Sequence, residues 1–230
     1  MRIIGIGDTH GKSIWKEIVS KEKDADLYIC IGDYVDSFNI SGGDQLTNLQ
    51  DIIQYKKDNM EKVVLLIGNH DFQYYPGSPD IGNYSGYQPT MLASFQQLYD
   101  ENKKLFKMCY VHNNIVFSHA GFTETFVEQK IGTFSEGNVN DIFFYSPKSF
   151  KFYNEDRSSG GDDIHQSCIW VRPQSLDKDA ISQVQVIGHT SIKHIDLAKS
   201  KRRGYYMIDC LDTVNEYLIL DNNEFSVGKL

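Results

Sequence analysis

"YICIGDYVDSF", Tyr28 to Phe38, decides how this chain is read. The apolar run Leu27 to Ile31 has the composition of a buried strand and stops at Gly32. Two carboxylates follow at once, Asp33 and Asp36, and then Ser37. A buried strand that ends in glycine and acid is delivering polar groups to a chosen place, because glycine permits the tight turn and the close approach. The same design occurs four more times. "IGIGDTHG" ends in Asp8 and His10, "VLLIGNHD" in Asn69, His70 and Asp71, "IVFSHAG" in His119, and "VQVIGHT" in His189. One such tip is ordinary turn chemistry. Five in order along one chain are a pattern, because ligands of open α/β sheets bind beyond the carboxyl ends of the strands.

The rest of the chain supports an α/β reading. Lys12–Lys21, Asp44–Met60 and Thr90–Leu105 carry apolar residues at helical spacing. They alternate with the nearly continuous apolar runs Ile3–Gly7, Leu27–Ile31 and Val63–Ile67, which predicts a parallel sheet covered on both faces. "KMCYVHNN" and "NIVFSHAG" predict a hairpin about Asn113-Asn114. Val184–Ile187, Tyr205–Cys210 and Glu216–Leu220 are further strands, expected to form a mainly antiparallel set. "YYPGSPDIGNYSGYQP" reads as a long loop, in which Tyr74, Tyr75, Tyr84 and Tyr87 pack the loop or line a groove. The polar stretch "NEDRSSGGDD" reads as a surface loop, and Lys199, Lys201, Arg202 and Arg203 as a solvated basic turn. No repeat, low-complexity tract or linker divides the 230 residues, so one domain over 1–230 is expected.

Composition narrows the partners. With 23 basic and 31 acidic residues the formal charge is −8, which disfavours general nucleic-acid binding. No apolar run approaches membrane-spanning length, so no membrane partner is expected. Cys30, Cys109, Cys168 and Cys210 are scattered and form no thiolate cage, which suits a reducing compartment and a cytoplasmic protein. Converging carboxylates, imidazoles and one amide cannot share a site uncompensated. Divalent cations remove the conflict. This donor set suits Mn²⁺, Fe or Zn²⁺, and six ligands suit two ions with one ligand shared.

In these residues the chain resembles the calcineurin-like metallophosphoesterases, near their phosphoprotein phosphatase branch with its bacterial and phage members. "GDTHG", "GDYVDS", "GNHD", "SHAG" and "GHT" carry the resemblance from Gly7 to Thr190. It implies a four-layer α/β/β/α sandwich, two mixed sheets flanked by helices, with a dinuclear metal centre, Mn²⁺ first among the candidates. It implies that Asp8 and His10 hold one ion, Asp33 bridges, and Asn69, His119 and His189 hold the other. His70, oriented by Asp36, would protonate the leaving group, and Arg172 in "IWVRP" would bind phosphate. The implied reaction is phosphoester hydrolysis by a hydroxide bridging the metals, with a phosphorylated protein as substrate. The alternatives are a dinucleoside tetraphosphate or other nucleotide, and an inactive metal-binding interaction module. Ser37 departs from the pattern: the protein phosphatases carry arginine there, and Lys12, Arg157 and Arg172 are the cations that could replace it. Asp71 stands where those phosphatases have glutamate, a change expected to matter little. His112, His165 and His194 are expected to be structural, and Trp170 to anchor the Arg172 loop.

Overall fold

The structure is a computed structural model that describes residues 1–82, 85–153 and 161–230. In chain order the strands are β1 (Arg2–Ile6), β2 (Leu27–Cys30), β3 (Val63–Leu66), β4 (Phe106–Lys107), β5 (Cys109–His112), β6 (Ile115–Ser118), β7 (Val184–Ile187), β8 (Tyr205–Met207), β9 (Glu216–Asp221) and β10 (Glu224–Lys229). The helices are α1 (Trp15–Lys21), α2 (Gly42–Asp58), α3 (Asn69–Phe72), α4 (Leu92–Asn102), α5 (Glu124–Phe126), α6 (Glu136–Tyr145), α7 (Pro173–Asp179) and α8 (Leu197–Arg203).

The strands form two mixed sheets. One has the order β10-β9-β1-β2-β3-β4, the other β5-β6-β7-β8. Period-two alternation explains the layers, since successive side chains of a strand leave opposite faces. Ile3, Leu27, Ile29, Ile31, Val64 and Leu66 turn to one side and meet Phe117, Val186 and Ile208 of the second sheet. Ile4, Ile6, Tyr28, Cys30, Val63 and Leu65 turn to the other side and meet Ile18, Leu49, Ile52, Ile53 and Phe95 of α1, α2 and α4. The outer face of the second sheet is covered by α7, where Leu176 packs with Ile187 and Tyr205. The two sheets are thus packed face to face and flanked by helices, as expected.

Three local expectations change. The later strands are antiparallel only in part: β5 with β6, and β9 with β1 and β10, are so, but β6 pairs parallel with β7, and β7 parallel with β8. Parallel neighbours need crossover segments, and α5 to α8 lie in the stretches between them. Those short helices carry weak periodicity, so the crossovers were not visible. The basic run is likewise no turn but the end of α8. Asp196 caps its start by accepting the Lys199 N–H at 2.9 Å, and Gly204 ends it in the left-handed region. Cations in a last turn suit the helix dipole. Finally β10 joins β9 through Asn222-Asn223, both at positive φ, a hairpin turn that was not recognised. The hairpin at Asn113-Asn114 is as expected, with His112 opposite Ile115. Most of "NEDRSSGGDD", together with Arg157 and Tyr84, lies outside the described residues.

Candidate metal and phosphoester site

The parallel registers bring the carboxyl ends of β1, β2 and β3 side by side, and those of β6 and β7 likewise. Just beyond them stand Asp8, Asp33, Asn69, His119 and His189, all buried. Two glycines make the crowding possible. A Cβ on Gly68 would lie 2.1 Å from Asp33 Oδ1, and one on Gly188 would lie 2.1 Å from Asp8 Oδ1. No other residue fits either place. The backbone is also held in an uncommon region here: His10, Asp33, Asp36 and His189 all have positive φ. Such conformations concentrate at functional sites. Among the described residues, the other non-glycines at positive φ are all asparagines, which tolerate it well.

Hydrogen bonding fixes which nitrogen each imidazole presents. His119 Nδ1 lies 2.8 Å from the Ile31 carbonyl, and His10 Nδ1 lies 2.9 Å from the Val35 carbonyl. His189 Nε2 lies 3.1 Å from the Trp170 carbonyl. A carbonyl only accepts, so each of those nitrogens carries the proton and the opposite one offers a lone pair. The lone pairs then face other acceptors. His119 Nε2 is 3.3 Å from Asp33 Oδ2 and 3.0 Å from Asn69 Oδ1, and His189 Nδ1 is 2.8 Å from Asn69 Oδ1. Such a contact is resolved by a cation between the acceptors, a proton or a metal ion. A backbone carbonyl on the far nitrogen is also how metal-binding histidines are oriented.

The donor set passes that test. Asp33, His119 and His189 offer atoms that all lie within 4.8 Å of one another, and so do Asp8, His10 and Asp33. Asp33 belongs to both groups. Asp8 Oδ2 accepts the His189 N–H at 3.0 Å, whereas Asp8 Oδ1 is buried with no hydrogen-bond partner. Such an atom is costly unless a ligand satisfies it. Burial, then Asp209 and Asp33, push the Asp8 carboxyl well above its ordinary range. Burial would raise Asp33 too, but His119, His70 and His10 hold it well below. Burial and the neighbouring Arg172 keep His189 neutral. Residues and charges therefore fit divalent cations with nitrogen and oxygen ligands.

His70 stands apart from both groups. Its Nδ1 lies 3.0 Å from Asp36 Oδ2, and its ring is 5.2 Å from that of His10. Burial disfavours its charged form, but Asp33 and Asp36 outweigh burial and raise it to about 9. Asp36 is itself clamped: the Tyr74 O–H donates to its Oδ1 at 2.6 Å, and the Gln73 amide donates to Oδ2. Tyr74 is fully buried, stacked on Tyr87 and edge-on to Phe95. Its task of orienting Asp36 was not foreseen when the tyrosines were read as loop packing or groove lining.

Arg172 also reaches the site. Its guanidinium donates to the His189 carbonyl at 2.9 Å and to Thr190 Oγ1 at 3.0 Å, and its strongest charge partners are Asp33 and Asp8. Trp170 packs edge-on against Phe152 and His189, which holds the Arg172 segment as expected. Ser37 is buried and borders the groove beside His70. Its N–H donates to Gln45 Oε1 at 3.1 Å, and its Oγ accepts the Asn39 N–H at 3.2 Å. His165 stacks on Tyr153 and bonds Asp163.

Two further carboxylates stand at the site, of which only Asp71 was named from the sequence. Asp71 is fully buried and accepts the N–H groups of Asp33, Tyr34 and Gly68 at 2.6, 2.9 and 3.0 Å, and the Tyr99 O–H at 2.7 Å. It ties the β2 tip to the β3 tip. Asp209 lies just beyond β8 and is 8% exposed. Gly7 brings it close: a Cβ there would sit 3.4 Å from Asp209 Cα. Burial, with Asp33 adding to it, raises Asp209 to about 6 although His10 pulls the other way. The signal was an apolar strand ending in Asp, as at the other tips but without the glycine.

The model of the calcineurin-like phosphoesterases matches residues 1–207. The chain belongs to that family. It is a metal-dependent phosphoesterase with phosphatase-like architecture. A protein serine/threonine phosphatase from Saccharomyces cerevisiae, itself similar to human phosphatase PP5, superposes with a TM-score of 0.66. It is 11% identical, over all of this chain and 79% of its own. A metallophosphoesterase from Sphaerobacter thermophilus superposes at 0.55, with 12% identity over all of this chain and 88% of its own. At such identities the likeness speaks for the fold. Among curated proteins none matches the sequence. No described helix is long and apolar enough to cross a membrane.

Proposed function

We propose that residues 1–230 act as one cytoplasmic phosphomonoesterase domain using two divalent ions, Mn²⁺ foremost with Fe or Zn²⁺ as substitutes. Asp8, His10 and Asp33 hold one ion, and Asp33, Asn69, His119 and His189 hold the other. The supporting observation is the carboxylate of Asp33, common to both groups of converging ligand atoms. When bound, two such ions supply Lewis acidity and lower the proton affinity of water.

The chain's own residues do the rest. Arg172 stands beside His189 and offers its fork to a phosphoryl oxygen, a geometry suited to spread negative charge. His70 is the acid. Its Nδ1–H is held by Asp36, so Nε2 gives its proton to the departing alkoxide. Asp36 stabilises the imidazolium, and Tyr74 and Gln73 keep Asp36 in place. The thiols take no part: all four cysteines are buried, and burial pushes Cys30 and Cys210 up to about 12. The free thiols also suit the cytoplasm.

The test is reconstitution of metal-stripped protein with Mn²⁺, Zn²⁺ or Ni²⁺, reading metal content and hydrolysis of 4-nitrophenyl phosphate together. Activity should rise as the second equivalent binds. Binding of two ions without hydrolysis would leave a metal-binding module, and full activity with one ion would remove the shared role of Asp33.

A further inference from the structure

Beside His70 lies a groove of about 370 Å³, walled by Phe38, Ile40, Asn39, Lys12 and Asp212. Its position matters. A group leaving the phosphorus toward His70 departs into this space. Phe38 is 77% exposed, an unusual state for so large an apolar side chain. Single exposed apolar residues are common, but this one is held out on a braced loop. Gln45 is fully buried and clamps that loop from both sides: its Oε1 accepts the Ser37 N–H at 3.1 Å, and its Nε2 donates to the Ile40 carbonyl at 2.7 Å. The Asn39 N–H closes back on Ser37 Oγ. The ring is thus presented, with little ordering left to lose on binding.

We propose that this groove is the leaving-group subsite and that it takes a nucleoside, its base stacked on Phe38. The inference rests on the phosphomonoesterase reading above and names its substrate class. An aromatic face is the natural partner of a base, and such stacking is worth about 1–3 kcal/mol by alanine substitution. The volume falls in the range of small-molecule sites. The Asn39 carboxamide brings a donor and an acceptor to the same wall. Lys12 is the groove's lysine, paired with Asp212 while both side chains are more than a third exposed. Such a pair is weak, so Lys12 can exchange Asp212 for a ribose hydroxyl of the leaving nucleoside. A bare aryl group would have no use for that cation.

The experiment compares adenosine 5′-monophosphate, 4-nitrophenyl phosphate and glycerol 1-phosphate as substrates of the Mn²⁺-loaded wild type, Phe38→Ala, Phe38→Leu and Phe38→Tyr. Titration of adenosine into metal-free protein, followed by calorimetry, provides a second readout. Phe38→Ala should lower kcat/KM for the nucleotide by about 5- to 100-fold while glycerol phosphate stays within about twofold. Phe38→Tyr should restore the nucleotide rate, and Phe38→Leu should not. Adenosine binding should follow the same order. Equal effects on the nucleotide and glycerol phosphate, or no effect on either, overturn the subsite. A loss confined to 4-nitrophenyl phosphate overturns the nucleoside. Should no ester be hydrolysed while adenosine still binds through Phe38, the phosphomonoesterase reading falls and the subsite stands.

Discussion

The tips of the two sheets meet at one site but are built differently. In the first sheet β1, β2 and β3 run parallel as neighbours, and their tips supply carboxylates, an amide and one imidazole: Asp8, Asp33, Asn69 and His10. In the second sheet β6 and β7 supply imidazoles, His119 and His189. The carboxylate side is shared, since Asp33 belongs to both groups of ligand atoms, whereas His119 and His189 serve one group only. The imidazole side in turn depends on the carboxylate side for orientation. His119 donates to the Ile31 carbonyl of the opposite sheet, and the His189 N–H donates to Asp8. β6 and β7 thus add imidazoles alone, whereas the first sheet brings carboxylates as well, so the charge that would gather cations lies mainly there.

That asymmetry can be broken most sharply at Asp33. Asp33→Asn should lose both ions and reduce turnover by more than the roughly 100-fold typical of losing an outer-shell partner. His119→Gln should lose one ion and keep the other. Metal analysis of the two purified variants beside wild type decides it. Two ions retained in Asp33→Asn would refute a shared carboxylate, and equal losses in both variants would erase the difference between the sheets.

His70 belongs to the first sheet by sequence but not to the metal groups. His70→Asn should lower turnover about 10²- to 10⁴-fold, the range of general acid catalysis, with both ions still bound. The deficit should shrink with a substrate whose leaving group needs no proton, such as 2,4-dinitrophenyl phosphate. A loss that is the same for 4-nitrophenyl, 2,4-dinitrophenyl and alkyl phosphates would assign His70 to binding instead. Asp36→Asn should follow His70→Asn at a smaller amplitude, because it acts through the imidazole.

What could be read in advance follows from how each element announces itself. The first sheet was legible because its strands are apolar on both faces and end in glycine plus a polar residue, as in "YICIGD" and "VLLIGN". The convergence of the tip residues was legible for the same reason. The parallel pairing of β6, β7 and β8 was hidden, because α7 and α8 are short and α8 is dominated by charge. Asp71 and Tyr74 were hidden because their work is to hold backbone and Asp36 across contacts between separate elements. No spacing rule reports such contacts. The bracing of the Ser37 loop was hidden too, since it depends on Gln45 from α2.

Asp209 tests whether the second sheet also contributes charge. It stands beyond β8 as His189 stands beyond β7, and Gly7 lets the β1 tip press against its backbone. Its carboxylate faces Asp8 and His10 closely enough to raise the proton affinity of Asp8. A cation held by Asp8 and His10 would therefore feel a negative charge outside its proposed ligands. Asp209→Asn preserves shape and removes that charge, so it should weaken the ion at Asp8 and His10 by about tenfold, the lower end of outer-shell effects. The ion at His119 and His189 should be nearly unaffected. Stepwise metal titration of the stripped variant reads the two affinities separately. A uniform fall at both ions would make Asp209 part of the general field, and no change would confine the carboxylates that matter to the first sheet.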